Sequence, residues 1–94
     1  MPPCAIDFTR RFTAQVRDLS RDERGELDAV LQRLSKEFGQ PHSHQGLGIR
    51  RLRGRYFECR LGRSTRAVFE LDGSMLIMVM LGNHDEVRKF LRGV

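Results

Sequence analysis

The sequence predicts an α+β fold in which a small antiparallel sheet packs on an N-terminal helical hairpin, in the order β-α-α-β-β-β-α with a short C-terminal helix. Apolar residues recur at helical spacing through about residue 38, alternate with polar residues from 55 to 71, and return to helical spacing at the end. The 94 residues suit one domain, residues 1–94, with a single modest core.

The first half of the chain carries two helix-start signals. Residues 5–8 alternate weakly and predict a short strand, after which Thr9 offers an N-cap to a first helix. Ser20 and Glu23 form a capping-box pattern that begins a second helix. Two amphipathic helices joined by a tight turn are therefore expected between about residues 9 and 38.

The second half changes to a period of two, which is typical of strands. Residues 55–61 and residues 65–71 each place apolar side chains on one face and mostly polar side chains on the other. Asp72 and Gly73 predict a two-residue hairpin turn. The apolar run of residues 75–81 predicts a central strand that is covered on both faces.

The ends of the sheet complete the expected fold. An additional strand near residues 49–52 is left open, and Asn83 with Glu86 forms the capping pattern of the last helix. Three apolar side chains are expected to be buried against the helical hairpin: Phe57, Phe69 and Leu71. The opposite, polar face is expected to present a second set together: Tyr56, Glu58, Arg60 and Arg66.

Basic residues are concentrated in one part of the chain. The net charge is +5, and a block over residues 47–66 holds seven arginines against the single Glu58. The arginines of this block are Arg50, Arg51, Arg53, Arg55, Arg60, Arg63 and Arg66. Arginine grips phosphate through a planar fork of donors, so the block predicts an anionic partner, most commonly nucleic acid. The alternative is a solvated basic face without a ligand.

Several classes of protein are not favoured. The longest apolar run has seven residues, against the ~20 that a membrane-spanning helix needs, and the N-terminus carries no export signal. We therefore expect a cytoplasmic protein with no membrane partner, in which Cys4 and Cys59 stay reduced. His42 and His44 lack a third ligand nearby, so neither a metal site nor another cofactor is expected.

Four residues predict a site that cleaves RNA. Arg60 and Arg66 point the same way from neighbouring strands and are expected to clamp one phosphate, with Glu58 on the same face. His84 begins the last helix, whose N-terminus favours anions. A basic groove with a histidine and a carboxylate can cleave RNA without metal, because it supplies proton transfer and charge stabilisation. Each residue also has a purely structural interpretation, as a surface or helix-start residue.

Four short segments together resemble the RelE/ParE toxin superfamily of type II toxin–antitoxin systems. They are leucine-arginine-glycine at residues 52–54, a strand ending in arginine-leucine-glycine at 56–62, an arginine before valine and an aromatic residue at 66–70, and glycine-x-histidine-x-glutamate-valine within 81–87. The resemblance covers residues 49–88, and its specificity lies in the order and spacing of the segments.

The resemblance implies a toxin whose basic groove is covered by a cognate antitoxin, with operator DNA contacted only through that complex. The RelE branch, which we favour, cuts mRNA on the ribosome and inhibits translation. The ParE branch instead inhibits DNA gyrase without nuclease activity. A third alternative is a degenerate member that only binds its antitoxin.

The resemblance also implies roles for individual residues. Arg66 would contact the scissile phosphate, Arg60 would assist from the preceding strand, and His84 would act at the leaving group. For Glu58 the residues themselves suggest a role as general base, with neutralisation of the neighbouring arginines as the alternative. Arg88 departs from the pattern, because many nucleases of the family have tyrosine after the valine. The remaining arginines of the block are expected to bind RNA: Arg50, Arg51, Arg53, Arg55 and Arg63.

Overall fold

The structure, a computed structural model, describes residues 4–40 and 46–94 and contains a five-stranded sheet with helices on both faces. Its elements are β1 Ala5–Phe8, α1 Arg10–Arg17, α2 Arg21–Glu37, β2 Arg50–Arg53, β3 Tyr56–Leu61, β4 Thr65–Asp72, β5 Met75–Gly82 and α3 His84–Arg92. The strand order is β1-β5-β4-β3-β2. The predicted α+β order is confirmed, and the strand left open is present as β2.

The sheet is mixed rather than wholly antiparallel. Strands β2 to β5 pair in antiparallel fashion, whereas β1 pairs parallel with β5. The parallel pair follows from the connection, because the chain travels from β1 through the helical hairpin and three further strands before it returns beside β1.

Both helices of the hairpin begin where the capping signals predict. The Thr9 side chain accepts a hydrogen bond from the backbone N–H of Phe12 at 3.1 Å. Ser20 and Glu23 cap each other, through distances of 3.1 and 2.9 Å between side chain and backbone. Within the described residues, no helix is long and apolar enough to cross a membrane.

The first face of the sheet packs on the helical hairpin and holds most of the core. Phe69 is fully buried there, while Phe57 and Leu71 are partly buried against the same cluster. Phe38, which ends α2, meets the Phe57 ring edge to face at 5.4 Å and the Phe69 ring at 5.6 Å. The predicted apolar face is thus confirmed, with Phe69 at its centre.

The second face is not the open polar surface that the alternation predicts. Helix α3 crosses it, and Val68, Met80 and Val87 form a second buried cluster there. Tyr56 packs edge to face on Phe90 of α3, with ring centroids 5.4 Å apart. The prediction was wrong for this part of the face because alternation along one strand does not reveal which distant element covers it.

Strand β5 is covered on both faces, as its continuous apolar sequence predicts. Leu76 and Met78 belong to the first cluster and Met80 to the second, across a register shift opposite Val68 and Phe69. Such a bulge changes which way side chains face. An all-apolar strand tolerates the change because no polar group becomes buried.

The β4–β5 hairpin turn lies one residue later than predicted. Asp72 pairs with Met75, so the two loop residues are Gly73 and Ser74. Gly73 has φ +60°, a conformation that glycine adopts without steric cost at the first position of such a turn.

Candidate nucleic-acid interface

A buried carboxylate between two arginines forms the centre of the basic block. Arg50 of β2 lies directly opposite Glu58 of β3, and Arg66 of β4 lies diagonally across from it. Glu58 Oε1 is 3.0 Å from Arg50 Nη2, and Oε2 is 3.4 Å from Arg66 Nε. The Glu58 side chain is 1% exposed, against 65% for Arg50 and 31% for Arg66. We call these three residues the Glu58 cluster.

The two ion pairs of the Glu58 cluster differ in quality. The contact with Arg50 is the shorter of the two, at 3.0 Å. The contact with Arg66 lies within ion-pairing distance, but Oε2 has no hydrogen-bond partner among the described residues. Arg66 is therefore held electrostatically and keeps its donors for another acceptor.

Arg60 lies opposite Arg66 in the β3–β4 register, in line with the predicted alternation. Its side chain also lies against Gly48. A Cβ built at Gly48 would lie 2.9 Å from Arg60 Cγ and Nε, and Gly48 has φ +66°. The ion pairs of Glu58 are formed by Arg50 and Arg66, and Arg60 forms none with it. Gly48 was not predicted as part of the site, although its position just before β2 is a signal that the backbone is closely approached there.

Two of the arginines predicted to bind RNA also hold the local backbone. Arg51 Nε donates to the carbonyl of Gly54 at 3.0 Å, across the β2–β3 turn. Arg53 Nη1 donates to the carbonyl of Leu91 at 3.2 Å, near the C-terminal end of α3. A cation is favoured at that end of a helix. These arginines thus connect β2 to its neighbours.

The remaining two arginines of the block differ in how firmly they are held. Arg55 forms an ion pair with Glu70 of β4 at 3.3 Å. Arg63 is exposed in the β3–β4 turn and makes no ion pair with a described residue. Arg55 is therefore neutralised locally, whereas the charge of Arg63 is available to a ligand.

His84 and Arg66 occupy the same end of the sheet. Arg66 pairs with Gly82 at the end of β5, and His84 follows two residues later as the first residue of α3. Asn83 and Glu86 complete the predicted capping box, with distances of 2.8 and 2.9 Å. Glu86 therefore serves the helix start, while the exposed His84 side chain is left for other contacts.

A glutamine fixes the strand that leads to His84. The Gln15 side-chain amide donates to the carbonyl of Leu81 at 2.7 Å and accepts from the N–H of Leu81 at 2.8 Å. The Gln15 side chain thus bonds to the β5 backbone as a neighbouring strand would, beyond the last residue of β5 that pairs with β1. Sequence analysis missed it, although a polar residue beside Val16 on the apolar side of α1 was a usable signal.

Thiol and metal chemistry find no support in the described residues. Burial, reinforced by the nearby negative charge of Glu58, raises the pKa of Cys59 to about 12, so its thiol is protonated at neutral pH. Cys4 and Cys59 are both free thiols. No group of three or more His, Cys, Asp or Glu able to hold a metal occurs in residues 4–40 and 46–94. The predicted loop histidines, His42 and His44, lie outside those ranges.

Solved structures share this architecture, although no protein-family model and no curated protein matches the sequence. A chain of the archaeal RelE–RelB complex from Pyrococcus horikoshii superposes with a TM-score of 0.71 at 12% identity, covering 88% of this chain and 96% of that one. A double mutant of the E. coli toxin RelE in the free state gives 0.69 at 18% identity, covering 95% and 92%. The chain has the fold of the RelE toxins. A chain of the E. coli DinJ–YafQ complex gives 0.58 at 15% identity, covering 89% and 97%.

The RelE-like fold accounts for the sequence segments that carry the resemblance. Residues 49–88 run from the start of β2 to the first turns of α3 and so supply four strands and the helix start. The Glu58 cluster and His84 both lie within this stretch. The resemblance recognised in the sequence is thus confirmed at the level of the fold.

Proposed function

We propose that the protein is the toxin of a type II toxin–antitoxin system and that it cleaves mRNA on the ribosome, which stops translation. The observation that carries the proposal is the Glu58 cluster, which presents two arginines at the end of a RelE-like sheet where His84 begins a helix. Phosphate recognition by arginine favours an RNA backbone at this place.

The proposed reaction proceeds through the ribose 2′-hydroxyl. Its oxygen attacks the adjacent phosphorus and loses its proton to water, and the bond to the 5′-oxygen breaks. Arg66 stabilises the negative charge that develops on the phosphate oxygens, and His84 protonates the departing 5′-oxygen. The products are a 2′,3′-cyclic phosphate or 3′-phosphate end and a 5′-hydroxyl end. The proposed steps use only the RNA hydroxyl, water and these side chains, so the proposal includes no metal or cofactor.

Glu58 has no proton-transfer role in this mechanism. A general base must come within about 3 Å of the hydroxyl that it deprotonates. The Glu58 carboxylate is 1% exposed and both of its oxygens face arginines. Its predicted role as a base is therefore replaced in the proposal by a role in holding the arginines.

The proposal includes a cognate antitoxin as the main protein partner. The structures that share the fold include complexes of RelE with RelB and of YafQ with DinJ. An antitoxin that covers the exposed arginines of β2 and the β3–β4 turn would block access of RNA. Contact with operator DNA would occur only through that complex, and the toxin would act in the cytoplasm.

Pulse labelling in cells that express the protein tests the proposal. We expect methionine incorporation to fall before thymidine incorporation, and co-expression of the antitoxin from the neighbouring gene to restore growth. The opposite order, with gyrase-dependent DNA damage, would favour the ParE-like alternative. Normal growth, with antitoxin binding retained, would indicate a member that has kept only its partner.

A further inference from the structure

A fully buried carboxylate is unusual in so small a domain. Within the described part of the chain, Glu58 is the one charged residue whose side chain is buried. Burial of an ionised carboxylate is costly unless opposite charges and hydrogen bonds compensate. Arg50 and Arg66 supply that compensation from the strands on either side of β3.

The two arginines approach the carboxylate through different nitrogens. Arg50 contacts Glu58 through Nη2, and Arg66 contacts it through Nε. A guanidinium carries five N–H donors in a rigid plane, so each side chain retains donors that do not face Glu58. The cluster as a whole keeps one net positive charge, since two guanidinium groups share one carboxylate.

We propose that Glu58 is a positioning residue that holds Arg50 and Arg66 as the two sides of one clamp for a backbone phosphate. That the phosphate belongs to RNA rests on the proposed function, whereas the clamp itself is a property of these three side chains. Arg50 thereby becomes a partner of Arg66 in one subsite, rather than one of several general RNA-binding arginines. Fixing both side chains in advance reduces the entropy that they lose on binding.

Glu58→Gln tests the clamp because three roles of Glu58 predict different outcomes. As an anchor, its loss frees both arginines and weakens phosphate binding on the order of tenfold, the scale of a lost charge-assisted contact. As a mere neutraliser of the basic block, its loss raises the net charge by one and strengthens binding. As a general base, its loss leaves binding unchanged and abolishes cleavage only.

The binding probe is a fluorescent single-stranded 2′-O-methyl RNA, which cannot be cleaved through its 2′-oxygen. We expect Glu58→Gln to weaken its binding and to reduce the salt slope by about 0.7, the value for one phosphate contact on a single strand. Glu70→Gln is the matched control, because it removes the same charge from the pair with Arg55 at 3.3 Å. Its binding should be unchanged or tighter.

Arginine variants keep the test decisive if Glu58→Gln unfolds. Arg50 is 65% exposed, so Arg50→Ala removes little buried surface, and circular dichroism checks that the variant stays folded with Arg66 alone beside Glu58. It should weaken binding on the order of tenfold, and Arg51→Ala, on the same strand, by less. If Glu58→Gln folds, combining it with Arg50→Ala should weaken binding no further than one of them alone, because both act on one subsite.

The outcomes separate this inference from the proposed function. Unchanged or tighter binding by a folded Glu58→Gln protein, or equal effects of Arg50→Ala and Arg51→Ala, would overturn the clamp. A different result would separate the two proposals. If Glu58→Gln and Arg50→Ala both lose binding, but the wild-type protein cleaves no message, the clamp would be supported and the nuclease assignment would be removed.

Discussion

Replacing Arg66 with alanine perturbs both the stability of the protein and its proposed chemistry. Arg66 is one of two cations that compensate the buried Glu58 carboxylate. Removing one partner of a fully buried ion pair typically costs about 3–5 kcal/mol, because the other charge is left without compensation. The cost here is smaller, since Arg66 is 31% exposed, lies at 3.4 Å without a hydrogen bond, and leaves Arg50 in place.

We therefore expect Arg66→Ala to lower the free energy of unfolding by about 1–2 kcal/mol. In a domain of this size, 1 kcal/mol corresponds to roughly 4–8 °C in the melting temperature. Thermal unfolding followed by circular dichroism should thus show a decrease of roughly 5–15 °C. Loss of toxicity alone would consequently not prove that Arg66 acts on RNA.

The double variant Glu58→Gln/Arg66→Ala separates the two effects. Removing the buried charge should restore at least half of the lost melting temperature, because the neutral amide needs no cation. Cleavage should stay slower than in the wild type by roughly 10²–10³-fold, the usual effect of losing one donor that stabilises transition-state charge. A melting temperature of Arg66→Ala equal to that of the wild type, or no recovery in the double variant, would refute the electrostatic argument. A stable double variant with full toxicity would exclude Arg66 from the reaction.

Three other residues give separate tests. His84→Gln should bind programmed ribosomes as the wild type does but cleave message at least ~10²-fold more slowly, because glutamine cannot donate a proton to the leaving oxygen. Unchanged cleavage would show that His84 only begins α3. Gln15→Ala should lower the free energy of unfolding by about 1–3 kcal/mol and speed hydrogen exchange at the Leu81 amide, since it removes both side-chain bonds to that residue. Exchange at the wild-type rate would contradict the role of Gln15 in holding β5. Because the folded protein holds the pKa of Cys59 at about 12 against an ordinary value of 9.0, the unfolded chain loses this proton first as pH rises. Stability from Cys59 is therefore fully present below pH 9.0 and should fall by about 1.4 kcal/mol per pH unit between the two values. Denaturant titrations of wild type and Cys59→Ala would measure it, and parallel pH profiles would argue against the burial of the thiol.

The features that were predictable from sequence are those decided within a few residues. Thr9, Ser20 and Asn83 each begin a helix in the structure because a cap depends only on the next three residues. The alternation of β3 and β4 likewise gave the correct facing of Phe57 and Phe69. Period-two patterning is a local property of an extended chain, so distant contacts do not change it.

The composition of the site was harder to predict because it depends on strand register. Arg60 and Arg66 were predicted as the clamp because they point the same way from neighbouring strands, and the β3–β4 register places them opposite each other. Residues directly opposite on neighbouring strands have Cβ atoms about 4.5–5.5 Å apart. Arg50 holds that position beside Glu58, but β2 was not firmly predicted, so neither was its register. The same uncertainty concealed Gly48, over which Arg60 lies.

The number of arginines that share one carboxylate differs within the basic block, and the proposed clamp depends on this difference. Arg55 has Glu70 as its partner, so that pair is neutral and offers a phosphate little electrostatic gain. Arg50 and Arg66 share Glu58, so their cluster remains positive while both guanidinium groups are held in place. A site built from arginines alone would carry more charge, but mutual repulsion would keep the side chains apart before RNA arrived. One buried acid for two arginines therefore combines a fixed geometry with a net charge that attracts phosphate.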